Sequence, residues 1–285
     1  MKFTKEEIRN SMLLYAITDQ MWLKEGETLL SVCEKVLENG ATFLQIREKD
    51  LNETAFEQEA AQLQALCSRY HVPFVVNDSV EIALQCDADG VHVGQSDIKG
   101  RDIRAMIGPD KILGISAGTV EEAIAAEKAG ADYIGVGAVF GTSTKKNARN
   151  LTIEKLQEIR SAVQIPVVAI GGIHAANLMQ LSGSGVDGVA VISAIFAAED
   201  PGKTTAQLRT LAQRIRQMPP PDEDRPLEER DLRKLGYGEE LARRIVALLE
   251  EEDSAARIPI PRMPERSRAE LMAMEKETTG IYISG

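Results

Sequence analysis

The sequence predicts an α/β protein built as a (β/α)₈ TIM barrel. Eight short runs rich in valine, isoleucine and leucine recur along the chain, which is typical of parallel strands that are buried on both faces. The segments between these runs show helical periodicity. Eight strand–helix units over about 215 residues fit a closed barrel, whose usual size is roughly 250 residues. A doubly wound open sheet is the alternative, but it usually carries an early glycine-rich turn, and none follows the first run.

Each strand is assigned to a short apolar, β-branched run. In chain order the runs are Leu13–Thr18, Phe43–Arg47, Phe74–Asn77, Gly90–Val93, Ile112–Ser116, Tyr133–Val136, Val167–Ile170 and Gly188–Ile192. The helical pattern between them is clearest at 120–130, where Gly130 supplies a C-cap. Because the chemistry of such barrels takes place at the carboxyl ends of the strands, the polar residues that follow each run are the candidates for a functional site.

Composition and charge exclude several classes of function. The 285 residues are 44% hydrophobic and 27% charged, an ordinary globular balance. A net charge of −11 and an aromatic content of 4% argue against a nucleic-acid partner, because such a surface needs clustered basic and aromatic side chains. A small anionic ligand remains compatible with this charge, since a pocket can be locally positive inside an acidic protein.

The cysteines and the apolar segments predict a cytoplasmic protein. Cys33, Cys67 and Cys86 are odd in number and lack CxxC spacing, so we expect reduced thiols. The first residues lack the apolar run of a signal peptide, and no stretch approaches the roughly 20 apolar residues that span a bilayer. No membrane partner is therefore expected. The sequence leaves the oligomeric state open, a homo-oligomer included.

The character of the chain changes after residue 217. Residues 218–226 combine three consecutive prolines with acidic residues, which predicts a stiff linker that no helix passes through. The barrel is therefore expected at 1–217, and a charged extension, helical or partly disordered, at 227–285. This extension is too small and too charged to hold much of a core of its own, and its role stays open.

Three donor side chains end the second strand. Alternation places Gln45, Arg47 and Lys49 on one side of the strand, directed into the mouth of the barrel. Two cations and an amide that converge on one point suit a phosphate or a diphosphate. The alternative is that Arg47 is structural and pairs with a carboxylate of a neighbouring strand.

The third and fourth strands end in carboxylates. Asn77 and Asp78 follow one strand and Asp97 follows the next, so two carboxylates are expected at neighbouring strand ends. Mg²⁺ favours such a sparse oxygen site, which substrate phosphates and waters complete. Alternatively, Asp78 caps the following helix. His92 lies inside an apolar strand and is interpreted as a hydrogen-bonded core histidine rather than a ligand.

The later strand ends offer hydroxyl groups, lysines and glycines. Ser116 follows the fifth strand, where it either donates to a phosphate or caps a helix. A segment after the sixth strand is interpreted either as a lid for an anionic substrate or as a solvated loop; it contains Thr142, Ser143, Thr144 and Lys145. Backbone N–H groups after the last two strands, around Gly172, Ile192 and Ser193, are typical of a phosphate site in this fold.

Six motifs occur together in a characteristic order: Gln45–Lys49, Val76–Asp78, Gly90–Asp97, Gly114–Ala117, Thr142–Lys146 and Ala169–Ile173. With these motifs, residues from about 8 to 216 closely resemble the thiamine-phosphate synthase (thiamine-phosphate pyrophosphorylase) family. The resemblance implies a transferase of thiamine biosynthesis on the barrel fold. Its reaction joins 4-amino-5-hydroxymethyl-2-methylpyrimidine diphosphate to hydroxyethylthiazole phosphate and gives thiamine phosphate and pyrophosphate.

The resemblance also implies roles for individual residues. The binders of the pyrimidine diphosphate would be Gln45, Arg47, Lys49 and Asn77. The Mg²⁺ ligands would be Asp78 and Asp97. Further contacts to the pyrimidine or its leaving group would come from Ser116 and Lys145, which makes Arg47, Lys49, Ser116 and Lys145 the candidate catalytic residues. The thiazole-phosphate site would comprise Thr142, Ser143, Thr144, Gly172, Ile192 and Ser193.

The implied mechanism is dissociative. Pyrophosphate leaves first with the help of Mg²⁺ and the cationic side chains, and the thiazole nitrogen then attacks the exocyclic carbon. No side-chain nucleophile is needed, and no Cys/His or Ser/His/Asp arrangement is apparent in the sequence.

Two glycines depart from the family pattern. Gly118 stands where many relatives carry histidine, and Gly141 stands where many carry proline.

Two other functions stay open. The alternatives to the synthase are a thiazole tautomerase-like isomerase and a non-catalytic barrel that binds a phosphorylated metabolite. Neither requires the metal-and-diphosphate residues, so Mg²⁺-dependent release of pyrophosphate separates both of them from the synthase.

Overall fold

The protein forms a closed barrel of eight parallel strands, as the sequence predicts. The structure is a computed structural model that describes residues 2–48, 51–141 and 151–218, together with Glu239, Arg243 and Arg244. Each strand pairs with its neighbours in chain order, and β8 pairs with β1 to close the sheet. The strands are β1 (Leu14–Ile17), β2 (Phe43–Ile46), β3 (Phe74–Asn77), β4 (Gly90–Val93), β5 (Ile112–Ala117), β6 (Tyr133–Gly137), β7 (Val167–Ile170) and β8 (Gly188–Val191).

Helices surround the barrel, and short polar side chains start most of them. The helices are α1 (Lys5–Ser11), α2 (Leu29–Glu38), α3 (Glu53–Tyr70), α4 (Val80–Gln85), α5 (Ile103–Ile107), α6 (Val120–Lys128), α7 (Ile153–Ser161), α8 (Ser193–Phe196) and α9 (Pro201–Gln217). Thr119 illustrates the start signal, because its hydroxyl accepts a hydrogen bond from the backbone N–H of Glu122. At the other end of α6, Gly130 adopts a positive φ of 83° just after the C-cap residue Ala129.

Two apolar cores hold these layers together. An outer core lies between the strands and the helices, and an inner core fills the barrel itself. In the inner core, the rings of Tyr15, Phe43 and Tyr133 pack with centroid separations of 4.5 to 5.8 Å. Ile8 and Met12, from α1 and its C-cap, join the same cluster. The barrel interior is therefore packed with side chains below the strand ends that carry the polar residues.

A repeated device anchors the amino-terminal ends of the strands. The side chain of the residue just before each even-numbered strand accepts a hydrogen bond of 2.8 to 3.0 Å. The donor is the backbone N–H of a residue at the start of the preceding odd-numbered strand. The four acceptors are Thr42, Asp89, Asp132 and Asp187. The three aspartates also pair with cations, for example Asp89 with Lys2 at 2.9 Å and Asp132 with Arg104 at 2.7 Å.

Asp187→Ala is expected to lower the free energy of unfolding by about 3 kcal/mol, because removing one partner of a buried ion pair leaves the other groups unsatisfied. Asp187 is buried, accepts the N–H of Val167 at 2.9 Å and pairs with Arg9 at 2.5 Å. Denaturant unfolding measures the effect. Glu34→Ala, which removes an exposed pair with Arg69, serves as the control and should change stability by less than about 1 kcal/mol. A loss no larger than that of the control would contradict this account of the strand anchor.

The predicted linker and extension lie almost entirely outside the described residues. The barrel and its helices fall within the unit Met1–Asp222, and α9 ends at Gln217. Beyond Met218 the structure describes only Glu239, Arg243 and Arg244, all of them helical. No helix among the described residues is long and apolar enough to cross a membrane.

Candidate active site

A cavity of about 640 Å³ opens at the carboxyl ends of the strands. Nine of the residues predicted from the sequence line it together: Gln45, Arg47, Asn77, Asp78, Asp97, Ser116, Gly172, Ile192 and Ser193. The other five predicted residues, which are Lys49, Thr142, Ser143, Thr144 and Lys145, lie outside the described residues. The closed parallel sheet therefore brings residues from six strand ends into one concave site.

Arg47 presents a cation to this cavity. Its backbone N–H donates to the buried Thr18 hydroxyl at 2.9 Å, which joins the ends of β1 and β2. Within the described ranges, no carboxylate lies within ion-pair distance of its guanidinium. Its charge nevertheless lowers the pKa of Asp78, which follows the neighbouring strand β3, so the interpretation of Arg47 as a structural partner of that strand stays open. The charge is available to an anion in the cavity.

Asp78 and Asp97 place two carboxylates side by side. Asp78 accepts from the Asn77 amide at 2.6 Å, and Asp97 accepts from the Gly94 N–H at 2.8 Å. Burial raises the pKa of Asp78, and the neighbouring Asp97 carboxylate raises it further. Asp78 does not cap α4, because Ser79 does so by accepting the N–H of Ile82. The two carboxylates repel one another unless a cation or a proton lies between them.

Ser116 belongs to a hydrogen-bonded chain that crosses the barrel below the cavity. Its Oγ lies 3.0 Å from Nε2 of His92, and Nδ1 of His92 lies 3.0 Å from the Tyr133 hydroxyl. The Tyr133 hydroxyl lies 2.8 Å from the Tyr15 hydroxyl, which accepts from the amide nitrogen of Gln45. Ser116 is not a helix cap, since Thr119 caps α6. His92 is hydrogen-bonded as predicted, but it also lines the cavity.

Glycines and apolar residues make up most of the β6–β8 side of the cavity. Gly172 has a φ of +63°, and a Cβ placed there would lie 2.1 Å from the Gly141 carbonyl oxygen. Ile192 and Ser193 follow β8 and line the same side. Only a residue without a side chain at position 172 lets the segment after β7 approach the segment after β6 so closely. Among the described residues this side carries no charged side chain, whereas the β2–β4 side carries Arg47, Asp78 and Asp97.

The sequence analysis missed three features of the site. Tyr15 lines the cavity and carries the hydroxyl that contacts Gln45, and alternation along β1 was a signal for it. Glu122 also lines the cavity and accepts the Gly118 N–H at 2.7 Å. The Ser116–His92 pair was not apparent either. The Tyr133 hydroxyl lies 3.0 Å from Nδ1 of His92, the position that a carboxylate holds in a catalytic triad.

Glu48, next to Arg47, titrates near neutral pH. Burial raises its pKa to about 7, and the Glu59 carboxylate adds to the shift. Because the folded pKa lies above the ordinary value, the folded protein holds this proton more tightly. The resulting stabilisation is fully present below about pH 4.5 and is lost as the pH rises through 7. Glu48→Gln is therefore expected to raise stability at pH 8 by about 1 kcal/mol, after allowance for partial solvent screening, and by much less at pH 4.5.

Thermal unfolding of the Glu48→Gln variant at both pH values measures this difference. Glu57→Gln, at a partly exposed position of α3, controls for the loss of one negative charge. Equal effects of the two substitutions at pH 8 would contradict the assignment of the pKa shift to the environment of Glu48.

The closed barrel and its charged, concave mouth define a class, the (β/α)₈ enzymes that act on small anionic substrates. The family model described as "Thiamine monophosphate synthase" matches residues 14–195. The chain belongs to this family of transferases of thiamine biosynthesis.

Individual relatives agree with that assignment. Thiamine-phosphate synthase of Ruminiclostridium cellulolyticum is 49% identical over 66% of this chain and 89% of its own length. The enzyme of Clostridium tetani is 45% identical over 68% of this chain and 93% of its own. The solved thiamine phosphate pyrophosphorylase of Pyrococcus furiosus is 40% identical and superposes with a TM-score of 0.67, over 73% of this chain and 98% of its own.

Proposed function

We propose that the chain condenses 4-amino-5-hydroxymethyl-2-methylpyrimidine diphosphate with hydroxyethylthiazole phosphate to give thiamine phosphate and pyrophosphate. The observation that carries the proposal is the presence, in one cavity, of the Arg47 cation and of the neighbouring Asp78 and Asp97 carboxylates. A ligand with a single phosphate would need only the Arg47 cation. A diphosphate bound with a divalent cation uses both the Arg47 cation and the two carboxylates.

The donor set on the β3 and β4 side suits Mg²⁺. Two neighbouring carboxylates, of which Asp97 raises the pKa of Asp78, form a site for a hard cation, with oxygen ligands only. Two protein ligands are few for a metal held by protein alone, but they are typical of Mg²⁺ that substrate phosphates and waters also coordinate. When bound, the metal would neutralise negative charge on the diphosphate oxygens.

The residues of this chain are proposed to hold the diphosphate and to ease its departure. The guanidinium of Arg47, with Lys49 and Lys145, would stabilise the charge that builds on the leaving pyrophosphate. Gln45, Asn77 and Ser116 would hold the pyrimidine end. The electron-rich aminopyrimidine then carries the positive charge until the thiazole nitrogen forms the new C–N bond.

The second substrate is proposed to bind on the β6–β8 side. Backbone N–H groups at Gly172, Ile192 and Ser193 would receive the thiazole phosphate, with Thr142, Ser143 and Thr144 completing the site. The absence of a side chain at Gly172 lets the segment after β6 pack against it, which fixes the position of the proposed phosphate site. This arrangement separates the two anionic groups of the substrates to different sides of one cavity.

The test is product formation by the full-length chain. With both substrates and Mg²⁺, thiamine phosphate and pyrophosphate should appear in equal amounts, and neither substrate alone should give thiamine phosphate. Isomerisation of the thiazole ring without consumption of the pyrimidine diphosphate would instead identify a tautomerase. Binding of either ligand without turnover, in protein shown to be folded, would identify a binding barrel.

A further inference from the structure

We propose that Tyr15, Tyr133 and His92 form a one-directional hydrogen-bond chain that holds the Ser116 hydroxyl as a donor into the cavity. These three would be positioning residues that act through Gln45 and Ser116. The proposal rests on the proposed function for the identity of the ligand, because both ends of the chain lie on the side assigned to the pyrimidine substrate. The direction of the chain can be tested without any substrate.

The direction follows from counting hydrogens. The Gln45 amide nitrogen can only donate, so the Tyr15 oxygen accepts from it. Tyr15 is buried, and its hydroxyl contacts Gln45 and Tyr133 among the described residues, so we assign its single hydrogen to the Tyr133 oxygen, 2.8 Å away. Tyr133 in turn has one hydrogen, and the Nδ1 atom of His92 lies 3.0 Å from it. Nδ1 must therefore be the acceptor.

The tautomer of His92 determines what Ser116 can do. If Nδ1 accepts, the proton of the neutral ring is on Nε2, which donates to the Ser116 Oγ at 3.0 Å. The hydroxyl hydrogen of Ser116 is then free to donate to a ligand acceptor, such as a ring nitrogen or a phosphate oxygen. In this arrangement His92 does not serve as a general base for Ser116, so the pair does not work as a nucleophilic dyad.

Packing shows that the chain is built into the barrel. Tyr15 and Tyr133 are almost fully buried, and burial raises the pKa of both phenols, which keeps a hydrogen on each. Gly114 of β5 makes room for the crossing, because a Cβ there would lie 2.2 Å from the Tyr133 ring and 2.5 Å from Nδ1 of His92. Gly135 of β6 lies close to the same ring, because a Cβ there would lie 3.3 Å from Cε1 of His92. Two neighbouring strands thus omit side chains where the chain passes.

Nitrogen-15 NMR of histidine-labelled protein tests the direction. The chain contains three histidines, so the signals of His92 are identified by their loss in His92→Gln. We expect the neutral Nε2–H tautomer at pH 7.5 in the substrate-free protein, and a mixture of tautomers in Tyr133→Phe. A neutral Nδ1–H tautomer in the wild type would overturn the proposal, because the chain would then run from Ser116 towards Gln45.

A double-mutant cycle tests the positioning role. Tyr133→Phe should lower kcat/KM for the pyrimidine diphosphate about tenfold, the size expected for one misplaced hydrogen bond, and leave KM for the thiazole phosphate unchanged. In a Ser116→Ala background, the same substitution should change kcat/KM less than twofold. Equal losses in the two backgrounds would mean that Tyr133 acts only on the general structure and would overturn the positioning role.

Tyr70→Phe is the matched control. It removes a tyrosine hydroxyl that contacts Glu38 on the outer surface of the barrel, and it should leave both kinetic constants unchanged. If the wild type makes no thiamine phosphate, the proposed function fails, while the NMR measurement still decides the direction of the chain.

Discussion

Asp78→Asn is expected to lower kcat at least about a hundredfold, because it removes one of the two carboxylates proposed to hold Mg²⁺ against the substrate diphosphate. Asparagine is the suitable replacement for two reasons. Asp78 has a φ of +63°, and asparagine tolerates this left-handed backbone better than alanine does. It also keeps the size of the side chain while removing its charge. Steady-state kinetics at saturating Mg²⁺ measures the loss.

Asp87→Asn is a matched control for this experiment. Asp87 also has a positive φ, 49°, but its exposed carboxylate pairs with Lys111 near the amino-terminal end of β4, away from the cavity. This variant should retain the kcat of the wild type. Unimpaired turnover in folded Asp78→Asn would contradict the metal assignment.

Gly172→Ala is expected to lower kcat/KM for the thiazole phosphate at least about thirtyfold, because misplaced binding groups cost factors of this order. An alanine Cβ would lie 2.1 Å from the Gly141 carbonyl oxygen and 2.5 Å from that of Phe140, both of them backbone atoms that cannot rotate away. The segment after β6 must therefore shift, and the proposed phosphate site shifts with it. Kinetics with each substrate varied in turn should place the larger effect on the thiazole phosphate.

The control separates this clash from the cost of the backbone conformation. Gly100 has a φ of +76°, but a Cβ there would meet nothing within 4 Å. Gly100→Ala should therefore cost some stability, about 1 kcal/mol for a left-handed alanine, without a change in kcat/KM. An unchanged kcat/KM in Gly172→Ala would contradict the assignment of the β6–β8 side to the second substrate.

The strands were predictable because the residues of each strand form an apolar run that can be recognised locally in the sequence. The runs at Phe74–Asn77, Gly90–Val93 and Val167–Ile170 coincide with β3, β4 and β7, and the other five differ by one or two residues at their ends. Burial on both faces leaves a nearly continuous apolar run in each strand. Once eight such runs are counted, the position of polar residues at their carboxyl ends follows from the geometry of a parallel barrel.

The contacts within the site were not predictable in the same way, because they depend on the register between strands. His92 lies opposite Gly114 in the pairing of β4 with β5, which brings Ser116 within reach of its ring. Nothing in the local sequence specifies that register. The same holds for Tyr15 and Tyr133, which lie 118 positions apart in the chain and meet inside the barrel. The roles assigned to the site residues, including those outside the described ranges, remain predictions.

The most direct test of the central claim is the dependence of pyrophosphate release on metal. Full-length protein is supplied with the pyrimidine diphosphate and the thiazole phosphate, first with Mg²⁺, then with excess chelator, and then with Mg²⁺ restored. We expect release that needs both substrates, stops on chelation and returns with Mg²⁺. Turnover that continues at an unchanged rate in excess chelator would contradict the metal-and-diphosphate site at Asp78 and Asp97.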